Sequence, residues 1–220
     1  MKEGIRVQNR KTKTLTEAAA MIALSALLSL INFTPLPWGG GITPASMLPI
    51  VVFSYRHGIR AGTGAGLVLG FLNLLLGFHT VAAMFLPGEN QLILPYAIFS
   101  LLLDYLLAYT AVGLGGIFRK RFRPSGAIAL GAVFALFLRY LLHIVSGFVI
   151  YGAYAEWFFS QAGRFGETVL SRFSGFGLSL IYSVVYNGSY MIPEIILTAI
   201  LGFALGKIRP VVQQKSESVR

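Results

Sequence analysis

Long apolar stretches dominate this chain, and the short polar segments between them are mostly basic. Six stretches read as spans, at about 15–33, 44–56, 61–78, 92–117, 126–153 and 176–206. A helix rises 1.5 Å per residue, so crossing a bilayer takes about 20 apolar residues. The stretch at 44–56 is the weak one, because it is short and carries Pro44 and Pro49. It is expected to be tilted, kinked or incomplete. The pattern predicts an all-α integral membrane protein, a bundle of six transmembrane helices over 15–206. Polar tails flank it at 1–14 and 207–220.

The connections differ in character. The segment TPLPWGGGITP, residues 34–44, places Pro35, Pro37 and three consecutive glycines around Trp38. It cannot be regular helix. The segment at about 154–175 mixes Trp157, Phe158, Phe159, Phe165 and Phe173 with Glu156, Arg164, Glu167 and Arg172. Such a mixture suits an amphipathic piece on the membrane surface.

Charge orients the bundle. With the N-terminus inside, cytoplasmic segments hold 15 of the 18 basic residues, and the outer loops hold only Arg164 and Arg172. That asymmetry predicts both termini in the cytoplasm. It also explains the net charge of +10 without nucleic acid, since the basic residues border the apolar runs. Composition agrees, with 55% hydrophobic and 12% charged residues against about 25% charged in soluble domains. No cysteine is present, so disulfide and thiol chemistry are excluded. The basic N-terminus before the first run resembles a signal peptide, but no small-residue cleavage site follows, and the run reads as a retained helix.

Polar residues inside apolar runs are the candidates for function. A carboxylate at membrane depth costs about 2.5–3.5 kcal/mol on insertion scales, and such residues usually face an interior or a cavity. Glu17, Asp104, Arg139, His143 and Glu194 fall within or at the ends of the spans. Glu17 starts the first helix, where a carboxylate suits the helix dipole. Arg139, His143, Gly147 and Tyr151 are four apart, near one helical stripe. The run YSVVYNGSYMIPE brings Tyr182, Tyr186, Asn187, Tyr190 and Glu194 within about three turns, where Asn187-Gly188 and Pro193 loosen the helix. Weakened helices at membrane depth are tolerated where they line a cavity.

A carboxylate with Tyr96 and Tyr105 nearby, a histidine, an amide and several tyrosines would suit a flat, cationic, hydrogen-bonding heterocycle. Plainer readings stand beside this one. Asp104 could pair with Arg139 as a structural ion pair, and His143 could be a satisfied core residue. Trp38 and Trp157 could be interfacial belt residues. No GxxxxGK[ST] phosphate loop, HExxH or GxSxG motif is present; GFALGKI at 202–208 has the wrong spacing. No enzyme activity, cofactor or metal is implied.

In combination, LTEAAAMIALSALL, SYRHGIRAG, LLLDYLLAYTAVGLGGIF, LRYLLHIVSGFVIY and YSVVYNGSY resemble the ThiT family. Its members are the thiamine-specific substrate-binding subunits, or S-components, of energy-coupling factor (ECF) vitamin transporters. The resemblance covers roughly residues 15–205. It implies a six-helix protein of the prokaryotic cell membrane that binds thiamine near the outer face. Its partners would be a transmembrane coupling subunit and two ATPase subunits, in a lipid setting, with no nucleic acid. The family's acidic-Tyr pair falls on Asp104 and Tyr105, its histidine on His143 and a following aromatic on Tyr151. Its Tyr and Asn five apart fall on Tyr182 and Asn187, and its loop Trp on Trp38. The small-residue docking motif falls on Ala19 and Ala23; ordinary packing within the bundle is the alternative for that pair. The chain departs from the better-known pattern in having Asp104 for Glu and Tyr151 for Trp. Leu94 stands in place of a Tyr, with Tyr96 two residues further on.

Overall fold

The structure is a computed structural model that describes residues 2–36, 39–88 and 91–212. Helices α1 (Lys2–Ser29), α2 (Leu48–His57), α3 (Ile59–Leu76) and the short α4 (Phe78–Ala83) come first. A composite helix follows: α5 (Leu94–Ser100), a π-helical stretch (Leu101–Leu107), α6 (Ala108–Val112) and a 3₁₀ turn (Gly113–Gly116). Then come α7 (Pro124–Tyr151), α8 (Ala155–Ser160), α9 (Gly163–Arg172), α10 (Gly175–Leu205) and α11 (Arg209–Val212). Among the described residues all regular structure is helical.

Among the described residues, four helices are long and apolar enough to cross a membrane: Ile59–Leu76, Leu94–Gly116, Pro124–Ser160 and Gly175–Leu205. They fall on the third to sixth predicted spans. Helix α1 has the length, but its N-terminal half is polar and basic. Helix α2 lacks the length. Its 10 residues rise about 15 Å, half the hydrocarbon thickness. Pro44 lies before the helix and Pro49 in its first turn, where a missing N–H costs nothing. The segment 45–54 is buried throughout, so α2 is an interior helix wrapped by its neighbours.

Between helices in lipid, close backbone approach counts for more than exclusion of water. Helix α3 carries glycines at 62, 66 and 70. A Cβ at Gly70 would strike the Tyr105 carbonyl, one at Gly66 the Tyr109 carbonyl, and one at Gly62 the Gly113 carbonyl. The composite helix therefore lies directly on α3. Gly131 of α7 meets Gly115 in the same way. Helices α7 and α10 approach at Gly147, where a Cβ would strike Ser183 and Asn187. Tyr140 adds a hydrogen bond to the Val184 carbonyl at 2.7 Å. Contrary to the expectation of a loosened segment, α10 runs unbroken through Asn187-Gly188 with Pro193 inside it.

The 154–175 connection packs inward as well as outward. Phe159 is fully buried and Val169 nearly so, while Trp157 and Phe165 are exposed. The Phe158 ring stands edge-on to Tyr182 and Tyr186, with centroids at 5.3 and 5.9 Å.

Candidate functional site

A cavity of about 240 Å³ lies between α1, α3, the π-helical stretch, α7 and α10, at the small end of ligand cavities. The 39–43 segment closes part of it. Six tyrosines line it, at 105, 109, 151, 182, 186 and 190. Its charged lining residues are Asp104, Glu194 and Arg139.

Asp104 sits in the π-helical stretch, where Ala108 N–H reaches back to the Leu103 carbonyl. Such wide turns are rare and concentrate at functional sites. Its side chain is 21% exposed. Oδ1 accepts from His143 Nδ1 at 2.8 Å. Oδ2 accepts from Ser100 Oγ at 2.8 Å and from Ser146 Oγ at 2.5 Å. Hydrogen bonds to a charged group contribute about 1.5–3 kcal/mol each, so three of them offset an insertion cost of that order. The two hydroxyls and the imidazole fill three of its roughly four acceptor positions, and one remains.

The ion pair with Arg139 that was one reading of Asp104 does not form. His143 stands between them. Arg139 Nε–H donates to His143 Nε2 at 3.1 Å, and its guanidinium lies 4.3 Å from the Tyr109 ring centroid. A guanidinium only donates. Nε2 is therefore the acceptor and Nδ1–H donates to Asp104 Oδ1, which makes the imidazole neutral in this arrangement.

Glu194 is the second carboxylate. It accepts the Thr43 N–H at 2.8 Å and the Thr43 hydroxyl at 2.7 Å, tying α10 to the 39–43 segment. Tyr186 Oη–H bonds the Gly39 carbonyl at 3.0 Å. Gly39 and Gly40 hold φ of +89° and +87°, a region that glycine enters without penalty. Tyr190 lies against Gly40, leaving no room for a Cβ.

Most of the residues singled out from sequence converge here. Asp104, Tyr105, His143, Tyr151, Tyr182 and Asn187 all line the cavity. The Asn187 amide is largely committed inside the protein. Nδ2 donates to the His143 and Ser183 carbonyls at 3.2 and 2.9 Å, and Oδ1 accepts from Tyr190 Oη at 2.8 Å. Tyr96 is not among the lining residues and is 42% exposed. It precedes Asp104 by eight residues, about 80° round an α-helix. Trp38 lies outside the described residues, although Gly39, Gly40 and Gly41 beside it line the cavity. Ala19 and Ala23 are remote from the cavity, on an exposed face of α1 with Leu24 and Leu27.

Sequence reasoning missed Ser100 and Ser146, which hold Asp104, and Tyr109, which supports Arg139. Ser146 was within reach, one turn from His143 on the same face. Asn73, paired with Ser29 at 2.8 Å across α3 and α1, was a further polar signal inside an apolar run.

The family described as thiamine transporter protein (Thia_YuaJ) matches residues 15–160. The thiamine transporter ThiT of Bacillus subtilis is 30% identical over 206 residues, 88% of this chain and 90% of that protein. ThiT of Lacticaseibacillus paracasei is 26% identical over 183 residues, 74% of this chain and 83% of that protein. The crystal structure of ThiT from Listeria monocytogenes aligns with a TM-score of 0.65 at 25% identity, covering 92% of this chain and 98% of that one. These relatives are named for transport and not for catalysis. The chain belongs to the thiamine transporter (ThiT) family and is a multi-pass bacterial membrane protein.

Proposed function

We propose that this chain binds thiamine in the tyrosine-lined cavity, as the substrate-binding subunit of an ECF-type importer. One observation carries the reading: the Asp104 carboxyl faces the cavity and, among the described residues, is held by an imidazole and two serine hydroxyls, with no Lys or Arg in contact with it. A thiazolium has a permanent positive charge and a flat face. It would take its charge partner from Asp104 and its stacking partners from the tyrosines, a combination strengthened by desolvation. The aminopyrimidine would use hydrogen bonds from the polar rim, with His143 and Asn187 holding that rim in shape. Tyr105, Tyr151 and Tyr182 supply ring walls, and the family resemblance adds Trp38 as a ligand contact.

In this reading the chain crosses the membrane six times with both ends in the cytoplasm, as the basic-residue asymmetry supports. The second crossing combines α2 with the irregular stretch before it. Irregular backbone is tolerated at that depth when buried in protein. Residues 15–206 form the transmembrane domain between cytoplasmic tails 1–14 and 207–220. Release to the inside requires docking on a transmembrane coupling subunit driven by two ATPase subunits. The exposed Ala19 and Ala23 offer that subunit a surface where a helix can come close.

The test is titration of the purified chain with thiamine, read by tryptophan fluorescence. Saturable one-to-one binding is expected, and absence of binding at micromolar thiamine rejects the assignment. Competition by riboflavin or biotin in place of thiamine would move the chain to another vitamin. Proton-driven uptake by the isolated chain in liposomes would make it a self-sufficient secondary transporter.

A further inference from the structure

We infer that Arg139 is a positioning residue that holds His143 in its neutral Nδ1–H form, so that Asp104 meets a cationic ligand without an imidazolium already in contact with it. The inference rests on the thiamine site proposed above and assigns a task to a residue that site did not use.

A cation in contact with Asp104 would be a built-in competitor for a cationic ligand. His143 is placed to become one. Its Nδ1 is 2.8 Å from Oδ1, and an unconstrained imidazole takes a second proton near pH 6.5. In membrane depth, beside a carboxylate, that proton would convert the pair into a neutral, closed contact. Arg139 blocks this. Its Nε–H occupies the only site where the second proton could go. Protonation would break that bond and set two cations about 3 Å apart, a repulsion of several kcal/mol at an effective dielectric of about 20.

Arg139 is itself held away from Asp104. One Nη donates to Met47 Sδ at 2.8 Å, and the guanidinium rests on the Tyr109 ring. It makes no ion pair with a carboxylate among the described residues. The positive charge in the site is thus kept one ring away from the carboxylate. The remaining titratable neighbours do not supply an alternative. Tyr190 of α10 meets the imidazole edge-on with centroids 6.2 Å apart, and Glu194 of α10 is bound to Thr43. The π-helical stretch contributes Asp104 itself and Tyr105, and α6 contributes Tyr109 under the guanidinium.

The experiment measures thiamine Kd at about pH 8 and about pH 5.5, spanning the ordinary imidazole titration, for the wild type and three variants. The wild-type ratio is expected to stay within about twofold. In Arg139→Met, His143 is free to protonate, and binding should weaken about tenfold on acidification. Arg139→Lys, which still donates to Nε2, should flatten the profile again. Arg139→Met with His143→Asn should also be flat, since no imidazole is left. A flat Arg139→Met profile, or a slope that survives in the double variant, overturns the inference. A wild-type protein that binds no thiamine removes the ligand reading instead. In that case, or if Arg139→Met does not fold, ¹⁵N spectra of histidine-labelled wild type decide. The Nδ1–H tautomer of His143 throughout the range supports the positioning role, and an imidazolium there overturns it.

Discussion

At the residue scale, the proposed function turns on a carboxyl that the protein holds with an imidazole and two hydroxyls and does not pair with Lys or Arg. Asp104 receives three donors, none of them a cation. Asp104→Asn keeps the shape and removes the charge. A unit pair at about 4 Å is worth about 4 kcal/mol at an effective dielectric near 20, and each 1.4 kcal/mol is tenfold. Thiamine Kd should therefore rise by about 100-fold or more in a calorimetric titration, and a change under about tenfold would show that the carboxylate is not the ligand's charge partner. Asp104 and His143 were legible because a polar group within an apolar run has few reasons to be there. Ser100 and Ser146 were not, since a serine on an apolar helix can as readily bond its own backbone. Arg139 illustrates the limit of spacing arguments. The four-residue step to His143 was visible, but the imidazole's place between guanidinium and carboxylate depends on how α7 packs against the π-helical stretch.

At the element scale, that packing is set by small residues. The Gly62–Gly66–Gly70 series lets α3 touch the composite helix, and this fixes where Tyr105 and Tyr109 stand. Gly66→Ala places a methyl against the Tyr109 carbonyl. Overpacking of this kind costs about 1–3 kcal/mol, equivalent to about 2–12 °C in Tm for a chain of this size. Gly64→Ala is the internal control, because its Cβ would meet nothing within 4 Å. A thermal melt in detergent should separate the two, and equal melts would remove the close-approach account. The glycine spacing is present in the sequence, but spacing alone does not say which helix it faces. The four long spans were legible to within two residues at their ends, because length and hydropathy alone define them, except that the predicted end at 153 falls seven residues short of Ser160. The proline pair marked 44–56 as tilted, kinked or incomplete, where the helix is unbroken but only 10 residues long, starting at Leu48. It could not reveal that α2 is buried on all sides, since a short apolar run looks the same in lipid and in a core.

At the scale of the whole molecule, polar groups gather around the cavity, while large apolar side chains stand exposed along the spans and α1 presents a small-residue face. Ala19 and Ala23 are exposed there and touch no part of the site. Ala23→Leu should therefore leave thiamine titrations of the purified chain unchanged while reducing uptake into cells severalfold. Loss of binding in that variant would contradict the separation of the proposed docking face from the cavity. The cavity itself was not legible in the sequence. Its volume arises where five elements fail to fill the space between them, and only the identity of its polar residues hinted at it. The central claim is that a cationic ring fills that space against Asp104, and a structure of the chain crystallised with thiamine tests it most directly. The account predicts the thiazolium among the tyrosines, within about 4–6 Å of the Asp104 carboxylate. Thiamine bound outside the cavity, or with its thiazolium turned away from Asp104, would contradict it.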